Sequence, residues 1–270
     1  MRGLNRVNVP FMTTWPESMP QLAERVSLVP ANRTVEEVVD RLLAIEQKLD
    51  GFFAPEAGTP AARRDRPPLP DGVACFNGMY LQVTKAVRDA LPTFESPDFV
   101  ARLDVLFAEF YFQAFDASVA EAWVSKAWAP LFARRDESGI LALQFAIAGM
   151  NAHINNDLAH ALVLTWREFD QTPAGDSPEF RDYEMVNAIL EAVEADIKGP
   201  LADDLIASVD TLLGTTDDFL ALWSIRRARA EAWKRARIMR GMPDSELDSL
   251  FDGFVGFAGN LLLRPSVLLG

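Results

Sequence analysis

The chain has 270 residues, of which 49% are hydrophobic and 24% charged, with a net charge of -13 at pH 7. That is enough apolar sequence for a sizeable core, in one domain or two. An acidic chain repels phosphate backbones and anionic lipid surfaces, which argues against nucleic acid as a partner. The single cysteine, Cys75, permits no intramolecular disulfide and no cysteine-rich zinc site, a usage that fits a reducing cytoplasm.

Residues 1–33 read as an N-terminal arm, exposed or draped on the surface. Arg2 and Arg6 mimic the basic start of a signal peptide. Asn8, Pro10, Thr13, Thr14 and Pro16 interrupt the apolar stretch that would have to follow. Residues 34–270 read as one helical domain. Thr34 and Glu37 form a capping box that opens a helix through Val38, Leu42, Leu43 and Leu49, with Gly51 as its stop. The stretch 54–72 (APEAGTPAARRDRPPLPDG) is a long Pro-rich surface loop.

A helix at 73–91 follows. Ser96 and Pro97 then start one that carries Phe99, Leu103, Leu106, Phe107, Phe110 and Phe115. Ser118 and Glu121 suggest a second capping box, leading through Trp123 and Trp128 to Phe132. A long helix is expected at about 137–169, and further helices near 178–198, 201–213, 216–241 and 245–263. Sustained period-two alternation and heptads are both missing. The expected fold is all-α: a single-domain irregular or orthogonal bundle of about eight or nine helices around a buried central helix at 137–169.

That central helix is the most informative segment. No charge occurs from Gly139 to Asn156, a length near that of a membrane span. Gln144, Asn151, His153, Asn155 and Asn156 make it a buried helix and argue against membrane insertion. Apolar residues surround it on all sides, so Asp157 is expected inside the protein. A buried carboxylate needs a cation, a metal, several donors or a raised pKa. His153, Asp157 and His160, at i, i+4 and i+7, fall within roughly 60° of one another on one α-helical face. Asn151 and Asn155 lie nearly opposite, and Asn156 beside the stripe. Either this is a site, with histidine as proton carrier and aspartate as its partner, or it is a polar network that fixes packing. His-x-x-x-Asp also suits two ligands of one ion, the remainder coming from Asp104, Glu109 or Asp116.

Other candidates are each open to a plainer reading. Asn77, Tyr80 and Thr84 share a face that could complete a pocket with His153 or make interhelix hydrogen bonds. Lys85 or Arg88 could be the cation for Asp157. Glu109, between Phe107 and Phe110, could be an acid of raised pKa or an arginine's partner. Asp203, Asp204, Asp217 and Asp218 sit where helices begin and read as caps rather than magnesium ligands. The basic stretch 224–240, with Trp233 inside it, reads as a solvated helix with one arginine turned inward from Arg226, Arg229 or Arg237. Cys75 reads as a small core residue.

The segments Phe76-Asn-Gly-Met-Tyr80 with Thr84, and Gly149-Met-Asn-Ala-His-Ile-Asn155 with Asp157 and Leu158, resemble the hallmarks of a helical family of unknown function, DUF5995. The resemblance covers most of the chain after about residue 34. It implies the helical fold and a bacterial, chiefly actinobacterial, source, and it implies no reaction. His160 lies outside the matching segments.

From the residues themselves, the expectation is a metal-independent enzyme of bacterial metabolism acting on a small, largely apolar molecule by hydrolysis, cyclisation or isomerisation. His153, Asp157 and Tyr80 would be catalytic, and Asn77, Asn151, Asn155, Glu109 and His160 would bind substrate. No cofactor is expected. If a divalent metal is bound, His153 and Asp157 are its ligands and the protein is a metal-dependent hydrolase. A module that binds a lipid-like ligand or a protein without catalysis is the other alternative. Homo-oligomerisation is left open.

Overall fold

Local chemistry sets the helix boundaries. The computed structural model describes residues 18–49, 71–193, 225–241 and 245–265, and every regular element among them is helical. The first helices are α1 (Met19–Val26), α2 (Val35–Lys48), α3 (Gly72–Ala90) and α4 (Pro97–Val119), with a single 3-10 turn between α3 and α4. The others are α5 (Ala129–Arg134), α6 (Ala142–Ala152), α7 (Leu158–Glu168), α8 (178–193), α9 (Ile225–Gly241) and α10 (Ser245–Leu262).

The Thr34 hydroxyl accepts from the Glu37 amide while the Glu37 carboxylate takes the Thr34 N–H, the reciprocal box read from the sequence. Such a cap is worth about 1 kcal/mol. Asp71 starts α3 by accepting from the amides of Val73 and Ala74, and Arg135 bonds its other oxygen. Asp182 of α8 accepts from the amides of Glu95 and Ser96 ahead of α4, and Asp252 of α10 from those of Lys126 and Ala127. Acids from later helices thus hold loops between earlier ones.

The buried side chains form two clusters. One joins α2, α3, α5, α6 and α10 to one face of α4 through Leu42, Phe76, Tyr111, Phe115 and Trp128. The other joins α1, α7, α8 and α9 to the opposite face of α4 through Phe99, Leu106, Phe110, Trp166 and Trp233. The central helix runs through both, α6 in the first and α7 in the second. Between them His153–Asp157 form a π turn, closed by the Leu158 amide on the His153 carbonyl. Asn and Asp are poor α-helix formers, and Arg235 bonds the Asn155 carbonyl inside the turn at 3.1 Å.

Close approach explains two glycines. A Cβ on Gly149 would stand 2.3 Å from Phe76 Cγ, and one on Gly256 would stand 2.2 Å from the Lys126 carbonyl oxygen. The first lets α6 lie directly against α3.

Several expectations need correction. Residues 18–33 are not a draped arm. Met19, Leu22 and Val26 are spaced to bury one face of α1, and Arg102 bonds the Val29 and Pro30 carbonyls. The helix expected from Ser118 to Phe132 does not form: α4 continues through Val119, Glu121 takes a positive φ of 54°, and α5 begins at Ala129. The central helix starts at Ala142 rather than 137, its first turn capped when Gln144 takes the Leu141 amide. The basic stretch is not simply a solvated face, since Trp233, Arg229 and Arg235 are buried. Positions 54–70, the helix at 201–213 and the acids at 203, 204, 217 and 218 lie outside the described residues. No helix among the described residues is long and apolar enough to cross a membrane.

Candidate functional site

Asp157 is fully buried, and three donors hold it. Its Oδ2 accepts from Trp128 Nε1 at 2.9 Å and from His153 Nδ1 at 3.1 Å, and its Oδ1 accepts from Asn156 Nδ2 at 3.0 Å. No lysine or arginine among the described residues bonds it, although its charge is felt by Arg235, which bonds the nearby Asn155 carbonyl. Arg88 instead meets Glu36 and Asp89 at the surface. Charge-assisted donors therefore do the work expected of a cation.

Because Nδ1 donates to a carboxylate, the network places the lone pair of the neutral imidazole on Nε2. Burial lowers the His153 pKa, against the opposing pull of Asp157, so the ring is neutral at pH 7. Phe107 stacks on it face to face at 3.5 Å, and Tyr80 meets it edge-on at 4.8 Å. Phe76 and Trp128 complete the collar. Nε2 is buried and has no hydrogen-bond partner among the described residues.

His153 lines a cavity of about 80 Å³ at the junction of the two clusters, walled by α3, α4, α6, the π turn, α7, α8 and α9. A water needs ~10–15 Å³ of such space, so there is room for a small ligand. The wall is mostly apolar, with Met79, Val83, Leu103, Met150 and Leu158 among its residues. Two further polar atoms of its lining are buried with no partner within hydrogen-bond geometry among the described residues, the Tyr80 hydroxyl and Asp104 Oδ2, although the Thr84 side chain lies near enough to the Tyr80 hydroxyl to favour its ionised form. Burial, and then the charge of Asp104, push the Tyr80 pKa well above its ordinary value. Burial alone pushes Asp104 from 3.8 up to about 7. Arg229 also lines the cavity; its Nε donates to Asn187 Oδ1, its Nη2 to the Tyr183 carbonyl, and its guanidinium lies 4.1 Å from the Tyr183 ring centre. Buried polar groups normally find partners, so three unmet ones around a single cavity mark it as the candidate site among the described residues.

The other sequence candidates lie elsewhere. Asn77 bonds the Leu42 carbonyl, Glu46 and the Tyr111 hydroxyl, so it fastens α2, α3 and α4 together. Thr84 bonds the Tyr80 carbonyl. Asn151 donates to the Val255 carbonyl and accepts from Asn155, which docks α10. Glu109 takes Arg33 and Gln113. His160 is not on the face of His153. The π turn spends one extra residue, which slips the helical phase by roughly 100°. His160 instead lies 3.9 Å from Asp248, in a groove between α1 and α7. Arg229 and Arg235 turn inward, but neither bonds Asp157 or Glu109. Cys75 is buried, and its thiol is pushed up to about 12, beyond useful nucleophilicity.

Among the described residues no group of three or more His, Cys, Asp or Glu could hold a metal ion. His153 Nδ1 and Asp157 Oδ2, the suggested ligand pair, are bonded to each other. Asp104, weighed in the sequence only as a metal ligand, emerges as a cavity residue, as do Phe107 and Arg229. The available signal was an acid in the stripe Val100, Asp104, Phe107 and Tyr111, at helical spacing among apolar residues.

The two hallmark segments meet at this site. Phe76 and Tyr80 pack on His153, and Gly149 admits the Phe76 ring. Comparison with curated proteins and with solved structures gave no match. The profile of a family of unknown function (DUF5995) matches residues 35–265, and the chain belongs to that family.

Proposed function

We propose that the protein is an acid–base enzyme acting on a small, uncharged, largely apolar molecule, without need of a metal. The observation that carries this reading is the unpartnered Nε2 of His153, oriented from behind by Asp157 and facing an apolar cavity that also holds the Tyr80 hydroxyl. A neutral imidazole with a free lone pair is a base at pH 7. Asp157 holds its tautomer and stabilises the imidazolium that forms, while Trp128 and Asn156 hold Asp157. His160 also has a buried Nε2 without a hydrogen bond, but only His153 combines that with a carboxylate on its other nitrogen and a place in the wall of an apolar cavity, which is why catalysis is favoured over a packing network.

The test is binding followed by turnover. Small uncharged alcohols, esters and ketones are titrated while NMR follows the signals of Tyr80, Phe107 and His153, and the bound compounds are then checked for conversion. The expected result is a shift at all three residues and a conversion that His153→Gln abolishes with the fold intact. Tight binding without conversion of any compound, unaffected by His153→Gln, would make the protein a ligand-binding module.

A further inference from the structure

The cavity's three unmet polar atoms differ in kind, and the difference narrows the substrate. His153 Nε2 can only accept. The Tyr80 hydroxyl and the Asp104 carboxyl, when it carries its proton, can donate. Tyr80 makes edge contacts with both the His153 ring and the Phe107 ring, at 4.8 and 6.2 Å. Asp104 lies one helical turn before Phe107, the ring that stacks on His153, and its charge is felt at Tyr80, so Tyr80, Asp104 and His153 line one cavity from three elements. No serine, threonine or cysteine lines the cavity, so it offers no hydroxyl or thiol nucleophile for acyl transfer. A single base facing two donors in an apolar box is the equipment for removing a proton next to a carbonyl.

Resting on the acid–base reading above, we infer that the substrate is an uncharged, enolisable ketone with an apolar body, and that Tyr80 and Asp104 hold its carbonyl oxygen while His153 takes the α-proton. In this step the α C–H bond breaks and its proton goes to Nε2. The C–H electron pair becomes the C=C bond, and the carbonyl π pair moves onto oxygen, where Tyr80 and Asp104 donate. Return of the proton to the same carbon restores the ketone. Return to the far carbon of a conjugated enolate gives an isomer. The step needs no further reactant. The carboxyl held near pH 7 by burial supplies a donor that an ordinary aspartate could not.

The experiment incubates the protein in D2O with cyclohexanone and with 3-pentanone and reads α-deuteration by NMR. Exchange should run above the buffer rate. His153→Gln should lower it ~1000-fold, and Tyr80→Phe and Asp104→Leu ~10- to 100-fold each. Asp104→Asn keeps an N–H donor and should retain more exchange than Asp104→Leu. Ketones that bind at Tyr80 and Phe107 without faster exchange overturn the inference, as does binding of alcohols or esters while both ketones are refused. In either case the acid–base reading stands for another substrate. If no apolar compound binds, both fall. Exchange unchanged in both Tyr80→Phe and Asp104→Leu removes the donor pair.

Discussion

Asp104→Asn should make the protein more stable at alkaline pH. Burial holds the Asp104 carboxyl at about 7, against 3.8 for an ordinary aspartate. At ~1.4 kcal/mol per pKa unit, keeping the folded side chain ionised at pH 8 costs about 4 kcal/mol. Asp104 is only partly shielded from solvent, which screens part of this and leaves a gain of about 2–4 kcal/mol for the neutral, nearly isosteric asparagine. The raised folded pKa means that the native state binds more protons than the unfolded chain between about pH 4 and 7. This contribution is therefore absent as a penalty below pH 4, grows as pH rises, and is complete above 7. Urea denaturation of wild type and Asp104→Asn at pH 4, 6 and 8 isolates it, because the two histidines titrate alike in both proteins and cancel in the difference. Equal stability at pH 4 and a stabler variant at pH 8 are expected. A difference that does not change with pH would refute the buried-acid description of Asp104. A substitution that stabilises the fold while slowing proton exchange would also mark Asp104 as a residue kept for function rather than for stability.

Other perturbations follow from the same packing. Gly149→Ala drives a Cβ into the Phe76 ring, which Tyr80, Tyr111, Trp128 and His153 hold in place. It should cost about 1–3 kcal/mol or more by urea denaturation. Asp157→Asn leaves one acceptor oxygen for the donors of Trp128, His153 and Asn156, and should cost about 3–5 kcal/mol while freeing the His153 ring to change tautomer. Burial, with the nearby Arg235 charge, lowers His160 to about 3. The unfolded chain then binds a proton that the native state refuses, so this stability is present above pH 6.5 and lost as pH falls towards 3. His160→Gln should remove that loss, worth about 3 kcal/mol at pH 4, as read by thermal unfolding across the acid range.

Much of the fold was legible because helical periodicity and capping are local. The Thr34–Glu37 box, the start at Pro97 and the charge-poor central helix all follow from neighbours in sequence. The buried Asp157 and its partner His153 were legible for the same reason, four residues apart on a helix too apolar to be exposed. The misreadings arose where tertiary contacts decide. The π turn broke the phase that put His160 beside His153. The end of α4 at Val119 overrode a capping signal at Ser118. Asn77, Asn151 and Glu109 are polar residues in apolar surroundings, and nothing local shows that their partners lie on other helices. Asp104 was the converse case: that its Oδ2 meets no partner among the described residues is a property of the assembled cavity.

The central claim is the protonation state of one ring, and long-range proton–nitrogen NMR of the two imidazoles at pH 7 measures it directly. For His153 the expected result is a neutral ring with its proton on Nδ1 and a bare Nε2 that shifts when an apolar compound enters the cavity. A proton on Nε2, or an imidazolium at pH 7, would contradict the account, because the base would then have no lone pair to offer.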